Sequence, residues 1–150
     1  MSDHHHDVFT AIRREYDDVL VALRNALRSE KRGAPGNPAY DPKRLTGAIE
    51  TAEDAYSLLL IATAEGFLRQ YLQSLNVDVG NEPKLSMLID KSFKELNERS
   101  SGIQLHPDVR REMHDLRAMR NHYAHGHGTG SFLPVAVVQR VVSRFLSPFP

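Results

Sequence analysis

Residues 56–72 read YSLLLIATAEGFLRQYL, apolar on nearly every side of a helix. Such a helix has to be surrounded by others. The segment therefore predicts a central core helix, with the rest of the chain packed around it. Its longest purely apolar run, residues 58–62, is far too short to cross a bilayer. A chain of 150 residues suits one domain with one substantial core.

The flanking segments carry helical spacing as well. Val8, Ile12, Val19, Ala22, Leu23 and Ala26 predict one face of a helix over residues 7–28. Residues 31–42 hold three prolines and two glycines, which predicts a loop. The core helix extends over 42–75, with a bend or break expected near Gly47. Residues 76–83 predict a turn. A third helix is expected over 84–98, with Leu85, Leu88, Ile89, Phe93 and Leu96 inward. A fourth runs from Pro107, a residue suited to a first turn, to His125, with Gly126 as its stop. A flexible linker over 126–130 precedes a fifth helix over 134–146. There Val135, Val138, Val141, Val142 and Phe145 face inward; a strand over 135–142 is the competing reading. These elements predict an all-α, up-and-down bundle of four to five helices, one domain over 1–150, with residues 1–6 a frayed or tag-like end.

There is no cysteine, so neither disulfides nor thiolate chemistry is available. The polar start of the chain, rich in His and Asp, does not read as a signal peptide, and a cytoplasmic location is expected. Nineteen basic residues balance nineteen acidic ones, which argues against an extended DNA or RNA track. The balance is uneven along the chain: residues 101–150 hold six arginines against three acids. That excess predicts a local anion site instead.

The fourth helix concentrates the candidate chemistry. Val109, Met113, Leu116 and Tyr123 form its apolar stripe, and Arg120 falls on the stripe itself. A guanidinium there is costly unless an anion pairs with it. Either the fold supplies a carboxylate, or a ligand supplies a phosphate. Arg117, Asn121 and His125 share the neighbouring face. Histidine exchanges protons near neutral pH. Arginine grips a phosphate through parallel hydrogen bonds. Asparagine orients either. The set suits RNA cleavage by its own 2′-hydroxyl, a reaction that needs proton transfer and a stabilised phosphorane but no metal. The bland alternative is a helix that ends in cations because they suit its negative end.

Glu65 lies in the most apolar helix, either exposed at its edge or paired with Arg120. Three further readings are simpler. His122, His125 and His127 do not have the spacing of a zinc site, and neither metal nor cofactor is expected. His106 and His114 read as surface residues. Tyr123 reads as core or interface packing, and the Arg110–Arg111 pair as a solvated face that could border RNA.

The segment LRAMRNHYAHG at 116–126 resembles the signature of the HEPN domains, the "higher eukaryotes and prokaryotes nucleotide-binding" family. Their motif is R-x(4–6)-H, commonly with a polar residue after the arginine. Here it falls on Arg120, Asn121 and His125. The AEGFLR segment at 64–69 looks like the family helix whose acidic residue faces the motif. The resemblance spans residues 45–146, most specifically 116–126. It implies a helical bundle with the motif late in the chain and one helix after it. It also implies a metal-independent endoribonuclease of toxin–antitoxin or antiviral systems, acting as a homodimer whose two motifs share one cleft. In that scheme His125 is the acid–base group, Arg120 binds the scissile phosphate, Asn121 positions substrate or His125, and Glu65 and Arg117 support them. Members paired with a nucleotidyltransferase antitoxin often carry tyrosine two residues after the motif histidine, where this chain has His127. Other members are non-catalytic modules that bind RNA or a protein partner, which is the second reading of this sequence.

Overall fold

The computed structural model describes residues 4–31, 42–99, 105–124 and 134–150. Among these there are five helices and no strand. They are α1 (His4–Lys31), α2 (Pro42–Ser74), α3 (Leu85–Arg99), α4 (Pro107–Ala124) and α5 (Val135–Leu146). α2 packs against all four others, as its all-round apolar surface requires. Leu60, Ile61, Ala64, Leu68 and Leu72 of α2 are fully buried. α2 runs unbroken through Gly47.

The valine-rich segment is helical, and Val135, Val138, Val141, Val142 and Phe145 are all buried. α5 has no side-chain cap of its own at Pro134. Glu53 of α2 accepts from the Val135 N–H at 3.4 Å instead. α2 ends in a Schellman arrangement. Val77 N–H donates to the Leu72 carbonyl at 3.0 Å and Asn76 N–H to the Gln73 carbonyl at 2.9 Å. Asn76 takes the left-handed backbone this needs, with φ 57°, a conformation asparagine tolerates.

Two expectations shift. The packing face of α1 is Phe9, Ile12, Tyr16 and Leu20, while Ala22 and Ala26 are exposed. The aromatic stripe offers far more area to bury than the alanines do. Residues 4–6, expected as a frayed end, form the first turn of α1. His5 is buried, and the His4, His5 and Phe9 rings each meet the Phe67 ring edge-on, with centroids 5.9–6.0 Å away.

α3 buries Leu85, Leu88, Ile89 and Leu96 as expected, together with Ser92. Phe93 is only half-buried, and the Arg110 guanidinium lies over its ring at 5.2 Å. No helix of the described residues is long and apolar enough to cross a membrane.

Candidate functional site

α4 starts with Pro107 and with Asp108 in its first turn, where a negative charge suits the helix dipole. Val109, Met113 and Leu116 then turn into the core, each at most 4% exposed. They seal the inner side of α4 within one copy of the chain. The inner part of the stripe is thus core. Tyr123, the last member of the stripe, is 38% exposed. The Asp54 carboxylate beside it raises the phenol pKa, first by its charge, then through burial and a hydrogen bond.

Arg120 is the charged residue on that stripe, and the fold supplies its anion. Its Nη1 donates to Oε2 of Glu65 on α2 at 2.7 Å. Glu65 is therefore inward, not an exposed edge residue. The two side chains are 35% and 21% exposed, so the pair sits at the margin of the core with one edge open. With Tyr123 tied to Asp54, α4 is fastened to α2 at two points eleven residues apart on α2.

Arg117, Arg120 and Asn121 open into a pocket of about 160 Å³ between α4 and the start of α3, whose other walls are Lys84, Leu85 and Ser86. Three of the expected site residues thus share one cavity, and the fourth, Glu65, grips one of them. His125 lies outside the described residues. The Nε of Arg117 is buried and finds no hydrogen-bond partner among the described residues. Lys84 and Ser86 are the site residues that spacing along the sequence did not single out. The available signal was a lysine at the position just before α3, where a capping acceptor is usual.

Farther down α4, His114 is not a plain surface residue. Its Nε2 lies 2.9 Å from Oδ1 of Asp90, which also accepts from Nε and Nη2 of Arg110 at 2.8 and 2.6 Å. Burial pushes the Asp90 carboxyl up, but the bonds and charges of His114 and Arg110 outweigh it, and the net shift is downward. Arg111 pairs with Asp108 at 2.8 Å. Among the described residues, no group of three or more His, Asp or Glu side chains is placed to hold a metal ion. A larger pocket, about 240 Å³, is lined by His4, His5, Phe67, Tyr71 and Phe149 among others, and none of its walls belongs to α4.

Comparison with protein-family models, with curated proteins and with solved structures finds no match to this chain.

Proposed function

We propose that this chain is a metal-independent endoribonuclease of the HEPN type, built on a HEPN-like helical bundle. The observation that carries the reading is Arg120. It is held by Glu65 at 2.7 Å and opens into the same pocket as Arg117 and Asn121. A guanidinium oriented by one carboxylate keeps its remaining N–H groups for a second anion. In the reading, that anion is the scissile phosphate. The 2′-oxygen attacks phosphorus, the O2′–P bond forms and the P–O5′ bond breaks. His125 takes the 2′-hydroxyl proton, and water supplies the proton that the departing 5′-oxygen takes up. Arg120 stabilises the added charge on the phosphorane, and Asn121 positions substrate or His125.

The homodimer belongs to this proposal, but through a different surface from the α4 stripe. α2 presents Ala55, Leu59, Ala62 and Gly66 outward at helical spacing, all exposed and uncharged, next to Glu65. A Cβ built on Gly66 meets nothing within 4 Å. A second copy on this face would bring two Glu65–Arg120 pairs together, since a two-fold interface uses one patch twice. An antitoxin or another protein partner is the alternative occupant.

The test is cleavage of single-stranded RNA in excess EDTA with analysis of the product ends. The reading expects 2′,3′-cyclic phosphate or 3′-phosphate ends. RNA binding without cleavage would instead favour the non-catalytic module.

A further inference from the structure

The pocket beside Arg120 carries more positive charge than one phosphate clamp needs. Lys84, Arg117 and Arg120 line it, together with Ser86 and Asn121, and none of its described walls is a carboxylate. Among the described residues, Arg120 alone of the three is neutralised, by Glu65 from the side. Arg117 has no acceptor at its buried Nε, and neither Arg117 nor Lys84 makes an ion pair among the described residues. An orphaned buried donor is rare in folded proteins and calls for a reason.

The start of α3 adds to the same field. Leu88 N–H donates to the Lys84 carbonyl at 3.1 Å, so Lys84 occupies the capping position. A lysine side chain has no acceptor to offer. The first N–H groups of α3, those of Leu85 and Ser86 among them, lack intrahelical partners. Residues far apart in sequence thus bring three cationic side chains and the amide-rich start of α3 to the wall of one cavity.

The geometry points to a second phosphate subsite, formed by Lys84, Ser86 and Arg117, that grips the phosphodiester backbone of a single-stranded RNA next to the phosphate held by Arg120. The size of the pocket favours a strand over a small molecule. At about 160 Å³ it is well below the roughly 300–1,000 Å³ of clefts that enclose whole ligands. It has room for a phosphate and its immediate attachments, so the rest of the ligand lies outside. The inference rests on the ribonuclease reading for the ligand being RNA, and not for cleavage.

A 2′-O-methyl RNA 12-mer cannot be cut through its 2′-oxygen and so reports binding alone. Its affinity, read by fluorescence anisotropy, is compared for the wild type, Lys84→Gln and Arg117→Gln. Lys84 is exposed, so Lys84→Gln keeps the fold. Each variant is expected to bind about tenfold more weakly, the low end for a hydrogen bond to a charged group. The slope of log affinity against log salt should fall by about 0.7 for each cation withdrawn from the RNA backbone. Inorganic phosphate, followed by the Leu85 and Ser86 amide shifts in NMR, should bind weakly and be displaced by the 12-mer. Affinity within twofold of the wild type for both variants overturns the subsite, and so does a wild type that does not bind the 12-mer. Phosphate that binds but is not displaced overturns the RNA assignment in favour of a free-anion site. Weakened binding by the variants with no cleavage of ordinary RNA by the wild type upholds the subsite and defeats the ribonuclease reading.

Discussion

Nη1 of Arg120 donates to Oε2 of Glu65 at 2.7 Å, joining residues 55 positions apart across the α2–α4 contact. The bond is short and charge-assisted, yet both partners keep some exposure. A partly exposed pair contributes about 1 kcal/mol or less to stability. Its larger effect is to fix where the guanidinium points.

Glu65→Ala should therefore separate stability from activity. The melting temperature should fall by no more than about 4 °C. RNA cleavage should fall on the order of a hundredfold, since small displacements of a positioning group are that costly. Calorimetry and single-turnover kinetics read the two quantities. Cleavage equal to the wild type would remove Glu65 from the site.

Asp90 sets a pH-dependent contribution on the α3–α4 contact. Its folded pKa is lowered because the bonds from His114 and Arg110 outweigh desolvation. A carboxylate with a depressed folded pKa stabilises above its unfolded value of about 3.9. That stabilisation is lost as pH falls through the folded value. Asp90→Asn should melt about 2 °C below the wild type at pH 7, after discounting for the exposure of the trio. The gap should close toward pH 3. A gap that persists unchanged at pH 3 would assign the effect to something other than charge.

Leu116 and Leu59 should respond in opposite ways. Leu116 is 2% exposed in the core, so Leu116→Ala should cost roughly 2–5 kcal/mol of stability. Leu59 is 43% exposed on α2, so Leu59→Arg should leave the fold intact and lower the mass seen by light scattering from dimer to monomer. A mass unchanged by Leu59→Arg would move the dimer off this face.

The placement of these residues shows how far the sequence was legible. The all-round apolar pattern of residues 56–72 announced a central helix, and burial follows directly from it. The cost of an unpaired arginine on an apolar stripe called for an anion, but the sequence left open whether a ligand or Glu65 supplies it; the 2.7 Å bond to Glu65 appears only once α2 and α4 are packed. The register of α1 was not legible. Val8, Val19 and Ala26 compete with Phe9, Tyr16 and Leu20 as overlapping stripes, and only packing against α2 and α5 decides between them. Tyr123 and Lys84 escaped for a related reason. Spacing along one helix tells which residues share a face, but not where that face clears its neighbour. Tyr123 emerges where α4 leaves the core, and Lys84 shares a pocket with Arg117 only because α3 and α4 pack together.

In the proposed ribonuclease, Arg120 and His125 act as one unit on RNA without a metal. The most direct measurement is the single-turnover cleavage rate of RNA in EDTA for the wild type, Arg120→Ala and His125→Ala, with circular dichroism to confirm the fold of each. The wild type should cleave, leaving 2′,3′-cyclic phosphate or 3′-phosphate ends. Each variant should be slower by roughly a hundred- to ten-thousand-fold. Wild-type cleavage that requires added metal, or folded variants that cut RNA as fast as the wild type, would contradict this mechanism.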